Sequence, residues 1–491
     1  MKYKGRNDWI FGDMWGLVVD GVFHGIHIKW SKTGEETPLG HVTSKDLLHF
    51  TACDDILYPL PESEYPMDCL MKFTGCCMTA KNGLHYIYYT MRTSNADEKI
   101  ALAVSKDMKT FELYDKNPVL EVDENIFFTT GPHVDCRDML IVYHEKEDVY
   151  YGYFAAMADM GYGSPSGVIG VAKSSDLVTW RDQKIAYAAP FMGTVEVPDV
   201  FEIDGKWYLI MLTGNNYGAK GISEDEDVTY FTAYAVADSP EDPFVHTDDK
   251  IFIGGNSNSA GVCRTVIFDG KRYLHYVDRG REGQSISLPK EICVVDGKLR
   301  PCYAPITQKL RTGKMMRKFD ESSFKKLSSS HAWMTVSGEA KVCEDKLIFD
   351  SYRNSYQKYR IENEKYASIE MECILSADCT ECGFMFEAYS EKETERPQET
   401  SFLSLNFDRE KVIMYQNALM FDPCAKRSVT LEKNKEYHVR AIVMEGIFEI
   451  YIDDILVLQG AIETAEHIVP GIVVGNGNCE IKELKIYELE K

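Results

Sequence analysis

The segment SKDLLHF at residues 44–50 returns as SKDMKTF at 105–111 and as SSDLVTW at 174–180, a heptad of the form S-x-D-x-x-x-aromatic. A second marker recurs with it. Asp20-Gly21, Asn82-Gly83, Asp204-Gly205 and Asp269-Gly270 each precede an alternating, aromatic-rich run. Asx-Gly is the strongest short-range hairpin signal, because both central residues of the tight turn need positive φ. A degenerate copy, Glu147-Asp148 followed by VYYGYFAA, falls between the second and third pairs. Five units of about 60 residues therefore fill residues 5–305. Each has room for four short strands, and none carries a long amphipathic helix. Radial packing protects the edges that an isolated four-stranded sheet would expose, so a five-bladed β-propeller is expected. Polar residues at the inner strand ends would then converge on one axis.

Near residue 310 the repeat stops. Residues 311–330, polar and basic and ending in Ser328, Ser329 and Ser330, read as a linker. Beyond it YASIEMECIL (366–375), SFLSLNFD (401–408), HVRAIVM (438–444) and FEIYIDDILVL (448–458) alternate with period 2. The chain is thus expected to be all-β: a five-bladed β-propeller over residues 1–310, a linker over 311–330 and a C-terminal β-sandwich over 331–491.

Composition narrows the partners. The 491 residues hold 54 Lys+Arg against 77 Asp+Glu, a net charge of −23 that repels phosphate backbones and anionic lipid heads. Neither nucleic acid nor a membrane is expected as a partner. No apolar run approaches the ~20 residues of a membrane span, and Asp13 interrupts the run from Trp9 to Val19. The 14 Cys have no regular spacing, and residues such as Cys293 and Cys373 lie in apolar strand-like runs. They read as reduced core thiols, hence a cytoplasmic protein. Cys379 and Cys382 form a C-x-x-C without the second pair a zinc site needs, so packing is the better reading. His24 and His27 stand at odd spacing in a strand-like run and face opposite sides, which rules out joint chelation. The run Glu224 to Asp227 reads as a solvated loop tip. No metal is assigned.

Three acidic motifs stand apart: Asp13 in GDMWG (12–16), Arg137-Asp138 in CRDML (136–140) and Glu196 in TVEVPD (194–199). Each opens an apolar run in a different unit. A carboxylate among such neighbours is expensive to bury unless paired or functional. Any one alone reads as a turn or capping residue; three at equivalent positions of a propeller would share one axial pocket. Two carboxylates, and a third beside an arginine, suit glycoside hydrolysis, where one group attacks or activates water and another protonates the leaving oxygen. The apolar neighbours of Glu196 suit an acid that keeps its proton. Trp15 and Phe73, inside motifs, are candidates for stacking on a sugar, whereas Trp9 and Trp30 are expected in the core.

At these residues the chain resembles glycoside hydrolase family 32, the invertase, sucrose-phosphate hydrolase, levanase and inulinase group. GDMWGL is similar to the family's NDPNGL motif, GHVTSKDLLHF (40–50) to its GHA-S-DL-HW segment, KFTGCCM (72–78) to FSGS, CRDML to RDP and EVPD to ECPD. SLPKEICVVDGKLRPCYAPITQKLR (287–311) resembles the PRE segment. The departures are Gly12, Met14 and Trp15 around Asp13, Met139 after Asp138, Val197 after Glu196, and Ile28 where the family has glutamine.

The resemblance implies Asp13 as nucleophile, Glu196 as general acid and then base, and Asp138, helped by Arg137, as the residue that holds fructose hydroxyls. It implies substrate contacts at Trp15, Phe73 and Thr74, retention of configuration and no metal or organic cofactor. The expected activity is release of fructose from β-fructofuranosides: sucrose, sucrose phosphate, fructo-oligosaccharides or a related fructoside. A fructosyltransferase or an inverting arabinan- or xylan-directed propeller glycosidase is the alternative. A non-catalytic carbohydrate-binding protein is a third reading, weakened because both reacting carboxylates are present. The partner expected is a small carbohydrate, with homo-oligomer formation left open.

Overall fold

The computed structural model describes residues 3–5, 9–33, 37–60, 71–92, 97–129, 135–161, 165–190, 192–219, 229–254, 261–280, 283–327, 339–343, 346–361, 365–390, 397–416, 422–463 and 466–490. Four antiparallel four-stranded sheets come first. They are β1 (Trp9–Val19), β2 (Val22–Ser31), β3 (Gly40–Ser44) and β4 (Phe50–Ala52); β5 (Met71–Thr79), β6 (His85–Arg92), β7 (Glu98–Ser105) and β8 (Phe111–Leu113); β9 (Cys136–His144), β10 (Val149–Ala158), β11 (Ser166–Ser174) and β12 (Arg181–Ala188); and β13 (Glu196–Ile203), β14 (Lys206–Thr213), β15 (Phe231–Ala237) and β16 (Val245–Ile253). Next come β17 (Gly261–Phe268), β18 (Lys271–Gly280), β19 (Gly283–Ile286), β20 (Lys290–Val295) and β21 (Lys298–Tyr303). There β18 pairs with both β19 and β20, so these two form one interrupted row.

The repeated heptad is the loop from third to fourth strand, and its chemistry is the same in each copy. Asp46 Oδ1 accepts the N–H groups of Leu48 (3.0 Å) and His49 (2.9 Å). Asp107 Oδ1 accepts those of Lys109 and Thr110, both at 2.9 Å. Asp176 Oδ1 accepts those of Val178 (2.9 Å) and Thr179 (2.7 Å). The residue after each aspartate, Leu47, Met108 or Leu177, takes positive φ (58°, 55° and 66°) and is buried. Side-chain oxygens that satisfy local N–H groups let the chain turn without a ladder, while the buried apolar residue anchors the loop. Three Asx-Gly pairs form the expected turns, with both residues at positive φ: Asp20 and Gly21, Asp204 and Gly205, Asp269 and Gly270. At Asn82 the loop is wider: only Gly83 has positive φ, and Asn82 Oδ1 accepts the N–H of Leu84 at 3.0 Å.

The sheets are arranged like the blades of a propeller. β1 packs on β5, β5 on β9, β9 on β13, β13 on β17 and β17 back on β1. Apolar side chains fill the wedges between sheets: Trp15, Ile26 and Tyr89 between the first and second, Tyr88, Phe154 and Val168 between the second and third, and Tyr153, Trp207 and Phe231 between the third and fourth. Arg264 of β17, 2% exposed, donates to the carbonyls of Pro198, Gly75 (3.1 Å) and Asp138 (3.0 Å), one on each of three other inner strands.

The segment read as a linker is instead structured in part. Arg311–Met316 is a strand paired with His467–Leu489, and Phe324–Lys326 pairs with Lys346–Ile361. Its basic composition misled because Arg311 is half-buried against the Glu370 carboxylate, with Nε and Nη2 both at 2.8 Å. The serines 328–330 lie outside the described residues. The remaining strands form a large C-terminal sheet over a core that includes Phe349, Phe384, Leu403 and Phe448. It joins the propeller-like part where Cys302 pairs with Ile455 and Tyr303 N–H donates to Asp454 at 2.7 Å. Among the described residues no helix is long and apolar enough to cross a membrane.

Candidate active site

Each inner strand is out of regular register at the axis. Against its neighbour, pairing shifts between Phe11 and Met14 in β1, Phe73 and Gly75 in β5, Arg137 and Leu140 in β9, Glu196 and Asp199 in β13, and Gly261 and Arg264 in β17. These are β-bulges, which re-aim side chains and are common beside active sites. Asp138, Val197 and Val262 hold positive φ there (61°, 52° and 51°), an unusual conformation for β-branched valine. Side chains from all five bulges, Asp13, Thr74, Arg137, Asp138, Glu196, Val197 and Val262, line one cavity of about 340 Å³.

Asp13, Asp138 and Glu196 are therefore together, and Arg137 organises them. Its Nη2 donates to Glu196 Oε1 at 2.9 Å and its Nη1 to Glu98 Oε2 at 3.0 Å. Asp135 Oδ1 lies 2.8 Å from Nη1 and Asp138 Oδ2 3.7 Å from Nε. Burial works against the charge of Arg137, but the surrounding carboxylates, Glu98 and Glu196 first, more than compensate and hold it cationic. The Thr74 hydroxyl donates to Asp13. Asp138 N–H donates to Thr90 Oγ1 at 2.9 Å, and Asp138 Oδ2 accepts the N–H of Val197 at 3.0 Å.

Desolvation dominates the titration of Asp13, Asp138 and Glu98. Burial pushes the Asp138 carboxyl well above the ordinary range, with Arg137 opposing and Glu196 reinforcing. Burial likewise raises Asp13, against the Thr74 hydrogen bond and the Arg279 guanidinium, and raises Glu98, against Arg137. Carboxylates packed around one guanidinium compete for its charge, and burial favours the protonated form of Asp138 and Glu98. A pocket that brings several carboxyl groups together in this way has the groups that acid-assisted displacement at a glycosidic carbon requires.

Phe73 and Thr74 line the cavity. Trp15 does not: it is 1% exposed and packed in the core between the first two sheets, because the bulge at Gly12 and Asp13 breaks the alternation that would have kept it beside Asp13. Trp30, expected in the core, lines the pocket instead, 5.7 Å from the Phe73 ring. Glu196 has polar company in place of the apolar setting read from its neighbours: Arg137, and the Tyr217 hydroxyl that hydrogen-bonds it. Sequence reading missed Arg92, Glu98, Asp135, Tyr217 and Arg279, which also line the cavity. Glu98 alone carried a usable signal, a carboxylate opening an apolar strand.

Elsewhere, His24 Nδ1 meets His41 Nε2 at 3.1 Å, whereas His27 meets the Tyr3 hydroxyl at 3.3 Å. Cys379 and Cys382 are buried in the C-terminal core, and among the described residues no group of three or more His, Cys, Asp or Glu is placed to hold a metal ion. The acidic run 224–227 lies outside the described residues.

A propeller-like fold with clustered carboxylates and a guanidinium at its axis defines the class: the protein is a glycoside hydrolase. Residues 16–254 match the Glycosyl hydrolases family 32 N-terminal domain. Over those residues, just under half of the chain, the protein carries a family 32 N-terminal domain. No curated protein matches it significantly. Among solved structures it is similar in fold to the β-fructofuranosidase of Bombyx mori (17% identity, TM-score 0.70, covering 100% of this chain and 93% of that one). It is also similar to fructan 1-exohydrolase IIa of Cichorium intybus (15%, 0.72, 100% and 97%). Sucrose-6-phosphate hydrolase of Lactobacillus gasseri is a third (13%, 0.67, 100% and 92%).

Proposed function

We propose that the protein is a retaining β-fructofuranosidase that hydrolyses sucrose, sucrose phosphate, fructo-oligosaccharides or a related fructoside. The observation that carries this reading is the convergence of Asp13, Asp138 and Glu196 on one cavity, with Arg137 bonded to Glu196. In the first step Asp13 attacks the anomeric carbon while Glu196 passes its proton to the departing oxygen. In the second, Glu196 takes a proton from water, whose oxygen displaces Asp13 and restores both groups. Asp138 accepts hydrogen bonds from ring hydroxyls, and Trp30 and Phe73 form an apolar wall at the sugar.

The architecture supports this arrangement if β17–β21 is counted as a fifth blade and the C-terminal sheet as a sandwich. The contact of β17 with both β1 and β13, and a last strand that changes partners along its length, support that count. The domains are then 1–310 and 331–491. The described cysteines are all free thiols, which suits a reducing, cytoplasmic setting.

Proton resonance on a reaction with sucrose, 1-kestose and an arabinoside tests the reading: fructose is expected from the first two, released with its β anomer in excess, beside glucose from sucrose and sucrose from 1-kestose. Release of arabinose, or an inverted anomer, overturns it. Asp13→Ala and Glu196→Ala are each expected to lower kcat by about 10³-fold or more with the fold intact.

A further inference from the structure

Glu98 lies outside every sequence motif, yet it is buried at the start of β7 and grips the same guanidinium as Glu196. Arg137 presents a rigid planar fork, so the carboxylate held on one edge sets the plane offered to the other. Glu98 holds the Nη1 edge from the second sheet, while Glu196 meets Nη2 from the fourth. Its second oxygen lies 4.0 Å from Arg92 Nε, on the neighbouring strand of its own sheet. Around Glu98 stand Arg92, Arg137 and Asp135; around Glu196 stand Arg137, Asp138, Tyr217, Asp13 and Arg279, drawn from β9, β1, β18 and the turn at Tyr217.

We infer that Glu98 is a positioning residue for the reaction: by holding Arg137 from the opposite side it fixes and shares the charge that meets Glu196, leaving Glu196 able to carry the proton it gives to the leaving oxygen. Without Glu98 one carboxylate fewer, beside Asp135 and Asp138, would share Arg137, leaving more of its charge to Glu196 and favouring the carboxylate form, from which no proton can be donated. The proton moves from the Glu196 carboxyl to the glycosidic oxygen as the bond to the anomeric carbon breaks; Glu98 itself exchanges nothing. The inference rests on Glu196 being the acid proposed above.

The test is Glu98→Gln, which keeps an amide oxygen for Arg137 and removes the charge. The basic limb of the kcat/KM profile against pH is expected to move down by about 0.5–1 unit. At neutral pH, kcat for an alkyl fructoside, whose leaving group needs the proton, is expected to fall about tenfold, against about twofold or less for an aryl fructoside. An unmoved basic limb, or equal losses on both substrates, overturns the inference and leaves Glu98 structural. Should Glu98→Gln not fold, judged by circular dichroism, Glu98→Asp is measured: a larger loss on the alkyl than on the aryl substrate supports positioning, and equal losses overturn it. The parent reading fails separately, by Glu196→Gln showing no greater loss on the alkyl than on the aryl substrate.

Discussion

The Asp138 carboxylate accepts the backbone N–H of Val197 at 3.0 Å, tying the bulge of β9 to the bulge of β13. Both residues hold positive φ. Val197 follows Glu196 directly, so the orientation of Glu196 depends on the third sheet as well as on its own. Asp138 thus braces the bulge that presents Glu196 and, in the proposed mechanism, also binds the sugar.

Two substitutions separate those roles. Asp138→Asn keeps an oxygen for the Val197 N–H, and kcat/KM is expected to fall about 10³-fold with little change in Tm. Asp138→Ala leaves that N–H buried without an acceptor and is expected to destabilise the fold by about 1–3 kcal/mol as well. Thermal unfolding of both variants, beside turnover, checks this; equal Tm values would count against the bracing role.

Thr74 bears on the proposed nucleophile. Its hydroxyl opposes the rise that burial imposes on Asp13. In the proposed mechanism Asp13 acts as a carboxylate, so activity is expected to fall as pH drops through its titration. Removing the hydroxyl in Thr74→Val raises the pH at which that loss occurs. The acid limb of kcat/KM is expected to move up by about 0.5–1 unit, with the basic limb in place.

Arg264 holds carbonyls from three other inner strands. Arg264→Met removes the donors and leaves buried carbonyl oxygens unpaired, at about 3 kcal/mol or more in total. Urea denaturation should show the midpoint fall, whereas an unchanged midpoint would mean that the inner strands do not depend on this residue.

His49 links the two halves of the chain. Its ring meets Asp46 at 2.7 Å and Glu490 at 2.6 Å. The Asp46 hydrogen bond first, then that of Glu490, raises its pKa above the ordinary 6.5. The contribution is therefore fully present below 6.5 and disappears as pH rises through the elevated native value. The pair is largely exposed, so its size is about 0–1 kcal/mol. The Tm difference between the protein and His49→Gln should shrink toward zero between mildly acidic and alkaline pH; a difference that grows would reverse the assignment.

The repeat was legible because its chemistry is short-range. Ser44 and Asp46 bond N–H groups within the same heptad, as do Ser105 with Asp107 and Ser174 with Asp176. The three motif acids were legible for a related reason: a carboxylate opening an apolar strand is costly wherever the strand goes. Trp15 and Trp30 were misjudged because strand alternation fails at a bulge, and the register shift in β1 has no signature in residue type.

What the sequence alone determined was the set of turns, the alternation of the strands and the presence of carboxylates at the starts of apolar strands, each settled within a few residues. Only the tertiary structure decided that Arg137 should bond Glu98 and Glu196, residues 39 and 59 positions away in the chain. Those contacts depend on how neighbouring sheets stack and on where each bulge aims its side chain, and neither is encoded in local hydrogen bonding.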